Sequence, residues 1–277
     1  MLPADLDIQP EAFVKTTIAR RMLHWASITH ERRGISVISG PPGIGKTKAL
    51  AHLQADSPAE IVLAKAPKSS TNTGVMAIRY MAEAIRNALP EVDRFYVPNN
   101  IYELRTAIFR DLCERDGRNV VRAKKGDYST ADFRPLTVIF DEAQTLPRAA
   151  IDQLRLWSDP EGCYSPVPLG FLLVGNEEFS LAPDNNDGTS PISRAMADRA
   201  LYTERLAYND VTDDDVRLYL ESRGLLDEDA IQRTFDWLGS RGIERSFRTL
   251  KKLFERTIDD AATGETLLAS YRRQLGG

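Results

Sequence analysis

Gly40-Pro41-Pro42-Gly43-Ile44-Gly45-Lys46-Thr47 follows the apolar run Ile35-Ser36-Val37-Ile38 and leads into a run of helix formers. Its spacing, G-x-x-x-x-G-K-[ST], is that of a phosphate-binding loop. Glycines at 40, 43 and 45 leave no side chain between the backbone N–H groups and a β-phosphate. Lys46 then reaches the β- and γ-phosphates, and the Thr47 hydroxyl is a ligand for Mg²⁺. A helix starting at Lys46 adds the partial positive charge of its N-terminus. The stretch predicts nucleotide binding, with Gly40, Pro41, Pro42, Gly43, Ile44, Gly45, Lys46 and Thr47 all lining the loop.

A second motif, Leu136-Thr137-Val138-Ile139-Phe140-Asp141-Glu142, is an apolar strand ending in two carboxylates. Strand ends of a parallel sheet present such groups to a ligand at the carboxyl edge. Asp141 would hold the water shell of Mg²⁺ while Glu142 polarises the water that attacks a γ-phosphate, so the pair points to hydrolysis as well as binding. A small-molecule kinase needs an acceptor site instead of an activated water, and is disfavoured.

Length and composition narrow the class further. A chain of 277 residues suits one large domain or one plus a small one. No apolar run approaches the ~20 residues that cross a bilayer, and the opening MLPADLDIQP lacks the basic and apolar regions of a signal peptide. Cys113 and Cys163 lie far apart and form no metal-ligand pattern, and three histidines without telling spacing offer no zinc site. They read as reduced, packed thiols. A net charge of −4 excludes a strongly basic nucleic-acid binder, so any DNA contact must be local.

Apolar runs at 35–39, 61–65, 136–141, 169–174 and 200–206 read as strands. Helical patterns fall at 46–54, 74–89, 101–115 and 147–158, with a further amphipathic stretch at 13–32. This alternation predicts an α/β P-loop fold, a parallel five-stranded sheet sandwiched by helices. Past about residue 212 the strand signals stop, and helices are expected at 212–223, 228–238, 243–260 and 265–274. The chain thus divides into an N-terminal helical segment over 1–33, a nucleotide-binding domain over 34–208 and a small helical lid domain over 209–277. Residues 117–134 and 183–190 read as exposed loops.

Five blocks in order, ISVISGPPGIGKTKAL, VIFDEAQTLPRAAIDQLR, LGFLLVGN, SRAMADRALYTERL and the G-x-x-R of Gly242 to Arg245, resemble the AAA+ ATPases. Within them the chain resembles the transposition regulators of the MuB, TniB and TnsC type, over residues 27–253. That resemblance implies an ATP- and Mg²⁺-dependent ATPase in the bacterial cytoplasm, or that of a phage-infected host. Such a protein oligomerises as a filament or ring on double-stranded DNA, without sequence preference, and delivers target DNA to a transposase. Asn176 would be the sensor 1 residue that orients the attacking water. Arg199, or Arg194 five residues earlier, would be the arginine finger reaching a neighbouring subunit. Arg245 would be the sensor 2 contact to nucleotide. Lys68 and Asn72 in a loop after the second strand, with Asn100 and Arg105 at the start of a later helix, would face DNA phosphates. With little chain ahead of the ATPase domain, an N-terminal helix-turn-helix module of the MuB kind is not expected.

The resemblance leaves two other readings. One is an AAA+ ATPase acting on a protein partner in secretion or signalling, without DNA; it shares the loop, carboxylates and sensors. The other is a helicase, suggested by Asp141-Glu142-Ala143-Gln144, but the residues after Tyr208 are too few and too helical for a second RecA-like domain.

Overall fold

A computed structural model describes residues 12–58, 60–65, 74–88, 100–158, 169–179, 198–261 and 266–276. Its strands β1 (Ile35–Ser39), β2 (Ile61–Lys65), β3 (Leu136–Asp141), β4 (Leu169–Gly175) and β5 (Tyr202–Arg205) form one parallel sheet in the order β2-β3-β4-β1-β5. Because side chains alternate along a strand, the runs are apolar on both sides and need cover on both faces. One face carries Val37, Val62, Val138, Phe140, Phe171 and Leu173. Packed on it are Met81 and Ile85 of α3 (Gly74–Ala88), Ile108 and Leu112 of α4 (Ile101–Arg115), and Leu154 and Trp157 of α6 (Arg148–Ser158).

The opposite face receives the second half of α1 (Thr17–Arg32). There Thr29 and Ser36 share a buried 2.7 Å hydrogen bond, and the His30 Nδ1 meets Thr137 Oγ1 at 3.1 Å. A side chain at position 170 would run into the Thr29 carbonyl at 2.6 Å, so the helix backbone rides directly over Gly170. These contacts place sheet, α3, α4, α6 and the second half of α1 in one compact unit, comprising 23–40 and 50–205.

The other compact unit gathers the described residues of 1–22, 41–49 and 206–277. Its helices α7 (Asp213–Ser222), α8 (Glu228–Ser240) and α10 (Leu267–Gln274) start at Thr212, Asp227 and Thr266, whose side chains accept a hydrogen bond from the third residue of each helix. Thr212 and Asp215 complete a reciprocal capping box. Tyr219 meets Phe254 edge-on and Phe254 meets Tyr271 at a tilt, which packs α7, α9 (Phe247–Ala261) and α10 together. Asp215 is fully buried and also accepts from the Thr17 N–H at 2.7 Å, which ties the start of α1 to this helical core.

Three expectations are corrected. The stretch 117–134 is exposed over most of its length but is not all loop: Asn119 caps a short helix α5 (Val120–Lys124), and Thr130–Asp132 forms a 3₁₀ turn. Ala123 and Phe133 are buried with Phe109 and Cys113 of α4, because the excursion supplies enough apolar surface for a small core of its own. The helix expected from residue 13 starts at Thr17, and the strand expected over 200–206 covers only Tyr202–Arg205. Among the described residues no helix is long and apolar enough to cross a membrane.

Candidate functional site

β1, β3 and β4 are parallel and in register, with Ser39 opposite Gly175 and Phe140 opposite Leu173. Their C-terminal ends therefore share one edge of the sheet, and Gly40, Asp141 with Glu142, and Asn176 all leave the strands there. The sequence puts its most chemical residues at this edge because a strand end is the one place where backbone leaves the ladder and side chains face a ligand.

Past Gly40 the chain turns into the loop that opens α2 (Lys46–Asp56). Gly43 and Gly45 adopt φ of +84° and +97°, where side chains are strained, so the glycines are required by conformation as well as by access. Left-handed residues alternating with ordinary ones turn successive N–H groups toward one centre, the concave shape that binds anions. The first turn of α2 carries no acidic residue that would compete for those groups. Lys46 folds its ammonium back to donate to the Pro41 carbonyl at 2.7 Å.

The loop is anchored in its own compact unit. Phe247 N–H donates to the Gly43 carbonyl at 2.9 Å and the Tyr208 hydroxyl to that of Pro42 at 3.3 Å. A Cβ on Gly43 would sit 2.2 Å from Ser246 Oγ. None of these three supports, Ser246, Phe247 and Tyr208, was marked by a motif. Ser246 and Phe247 carry one sequence signal, adjacency to the G-x-x-R of residues 242–245, and Tyr208 carries none.

Glu142 follows β3 in a left-handed conformation, φ 58° and ψ 40°, and its side chain is exposed. Gln144 Nε2 donates to Glu142 Oε2, while Gln144 Oε1 accepts from the Asn176 N–H at 3.1 Å. The structure thus brings Glu142 and Asn176 together through a residue that was read only as part of a motif. Asn176 itself starts a tight turn, its Oδ1 accepting from the Glu178 N–H at 3.1 Å.

Other expected residues fall elsewhere. Arg199 is exposed in the turn before β5, at the N-terminal edge of the parallel sheet and so opposite Glu142. The same chain does not bring the two together. Arg245 precedes α9 and pairs with Asp213 at 2.7 Å. Asn100 is the N-cap of α4, accepting from the Glu103 N–H at 2.8 Å, and Arg105 is half-buried one turn on. Lys68, Asn72 and Arg194 lie outside the described residues. The Cys113 thiol is buried, which together with the Asp116 carboxylate pushes its pKa up to about 11 and leaves it an unreactive packing group.

A family profile described as an AAA domain matches residues 28–181, more than half of the chain. The chain belongs to the AAA domain family. No curated protein sequence matches it. Among solved structures it is similar to the Aeropyrum pernix ORC2 protein in ADPNP-ADP complexes, at 14% identity and a TM-score of 0.61, covering 98% of this chain and 69% of that one. It is also similar to CDC6P from Pyrobaculum aerophilum, at 14% identity and a TM-score of 0.57, covering 94% and 66%. A third likeness is to Drosophila ORC bound to GC-rich DNA and Cdc6, at 12% identity and a TM-score of 0.53, covering 90% and 38%. The chain therefore spans about two thirds of the length of the first two and well under half of the third. These likenesses establish a P-loop AAA+ fold. The AAA domain match takes in the loop, both carboxylates and Asn176, whereas Arg199 and Arg245 lie beyond it.

Proposed function

We propose that this AAA+ protein hydrolyses ATP to control its assembly on double-stranded DNA, and that it delivers the bound DNA to a transposase as a target-selection regulator. The observation that carries the nucleotide half is the loop itself: two left-handed glycines, a lysine and an acid-free helix start form a site for a polyphosphate. Residues 34–208 would hold the nucleotide and 209–277 would act as the lid.

In this reading the attacking water forms a bond to the γ-phosphorus, its proton passes to the Glu142 carboxylate, and the bond to the ADP oxygen breaks. Asn176 orients the water. Arg199 of a neighbouring subunit neutralises the developing charge, which fits its place at the far edge of its own sheet and makes hydrolysis depend on assembly. Arg245, released from Asp213, senses the nucleotide. Magnesium fits the donor types, a hydroxyl in Thr47 and a carboxylate in Asp141: both are hard oxygens, and a cation would rest on them and on substrate phosphates. It would supply charge neutralisation at the phosphates.

The DNA half rests on the sequence resemblance and on Lys68, Asn72, Asn100 and Arg105 as phosphate contacts repeated along an oligomer. One observation favours the reading of an ATPase with a protein partner: the Asn100 side chain already serves its own helix. Microscopy of the protein on long double-stranded DNA, with a slowly hydrolysed ATP analogue against ADP, separates them. Filaments or stacked rings only with the analogue are expected, and Lys46→Ala should abolish them by weakening nucleotide affinity about ten- to a hundredfold. Bare DNA in both samples, with nucleotide still bound, would transfer the proposal to the protein-partner class.

A further inference from the structure

Gln144 occupies an unusual position for an amide: it spans from one strand end to the next. Its Nε2 donates to the carboxylate of Glu142, beyond β3, and its Oε1 accepts from the backbone N–H of Asn176, beyond β4, at 3.1 Å. The partners fix which way the amide points. A carboxylate only accepts and a backbone N–H only donates, so the reversed amide would set acceptor against acceptor and donor against donor.

The turn beneath the amide is equally constrained. A non-glycine residue at φ 58°, as Glu142 is, persists only where its surroundings hold it. Here the Thr145 N–H and hydroxyl both donate to the Glu142 carbonyl, at 2.9 and 2.8 Å. Ala143 and Leu146 are buried on either side. The backbone that carries Glu142 and Gln144 is thus pinned from below while both side chains reach outward.

We infer that Gln144 is a positioning residue for Glu142. It holds one carboxylate oxygen from a fixed point on β4 and leaves the other oxygen, which has no partner among the described residues, to take the proton of a water. This role rests on the ATPase reading above. The anchor is a backbone N–H, so it survives changes to the Asn176 side chain. It also makes the base follow any displacement of the end of β4, the strand end from which Asn176 would sense the γ-phosphate.

Two measurements on the full chain test this. In ¹⁵N-labelled protein the Gln144 side-chain amide resonance, assigned by its loss in Gln144→Ala, should move in Glu142→Ala, and its protons should exchange faster with solvent. In steady-state hydrolysis Gln144→Ala should lower kcat about ten- to a hundredfold with KM unchanged. Gln144→Glu, which cannot donate to a carboxylate, should do the same. Added to Glu142→Gln, Gln144→Ala should cost nothing more, because the base it positions is already gone. Full activity of Gln144→Ala, or losses that multiply in the double variant, would overturn the role. An unmoved resonance in a protein that hydrolyses ATP overturns it too. A moved resonance in a wild type that hydrolyses no ATP would instead sink the ATPase reading, and leave the contact standing without the role.

Discussion

Glu142 and Asp116 are two carboxylates at the ends of regular elements in the same compact unit, and they are held in opposite ways. Asp116 follows α4 with its side chain only 3% exposed. The Arg115 guanidinium donates to both of its oxygens at 2.8 Å, Arg134 Nε donates at 2.8 Å and the Arg134 N–H at 3.0 Å. Burial alone would push this carboxyl up, but those donors outweigh it and hold it below the ordinary carboxylate value. Glu142 is exposed and meets one neutral amide. A carboxylate that closes a structure spends its whole acceptor capacity on the protein. One placed to take a proton keeps part of it open.

The largest effect expected from breaking this contrast is chemical. Glu142→Gln should retain nucleotide binding and lower hydrolysis by about a hundredfold or more, the usual worth of a positioned base. Its stability should stay within about 0.5 kcal/mol of wild type, as for a surface change that breaks one contact. A variant that hydrolyses ATP normally would remove Glu142 from the proton's path.

Asp116→Ala should show the converse. It leaves Arg115, whose side chain is 9% exposed, without its carboxylate and unties the neck of the 117–134 excursion, at about 3 kcal/mol in urea unfolding. The KM for ATP in the folded fraction should not change. A loss below about 1 kcal/mol would mean that the small core of Phe109, Cys113, Ala123 and Phe133 holds the excursion without the clamp.

The same contrast explains what was legible beforehand. Strands β1 to β3 were readable to the residue because parallel strands covered on both faces must be apolar throughout, and the phosphate loop because its glycines are dictated by backbone conformation. The excursion was misread because its fold rests on isolated aromatics. Tyr128 stands edge-on to Phe133 and under the guanidinium groups of Arg118 and Arg122, and cations at that density look like solvated loop. Gln144 escaped notice since its partner Asn176 is thirty-two residues away and only the sheet register makes them neighbours. Asp213 and Arg245 are likewise paired by tertiary structure. Asn100 was a missed local signal, because an asparagine three residues before Glu103 is a helix start before it is anything else.

A third kind of polar group lies between these extremes, and it yields the smallest effect. His30 is half-buried between α1 and the sheet, with Thr137 on one ring nitrogen and Glu60 at 3.7 Å from the other. Burial lowers its pKa below the ordinary 6.5, and Arg33 and Arg115 add to that; Glu60 and Glu31 oppose and do not prevail. The folded protein then binds fewer protons at this ring than the unfolded chain does. Its contribution is complete above pH 6.5 and is lost as pH falls through that value toward the lower folded one. Asp111 acts in the opposite sense. Burial raises its carboxyl against the pull of Arg86 and Arg110, so its folded form gains protons first and stability from that group falls as pH rises. The slope of the wild type alone is therefore ambiguous, and the informative quantity is a difference between proteins. Urea midpoints at pH 7.5 and 5.5 should fall further for wild type than for His30→Gln, which keeps a hydrogen-bonding group beside Thr137 but cannot titrate. Equal falls would show that His30 binds its proton alike in the folded and unfolded chain and that the drop belongs to other groups.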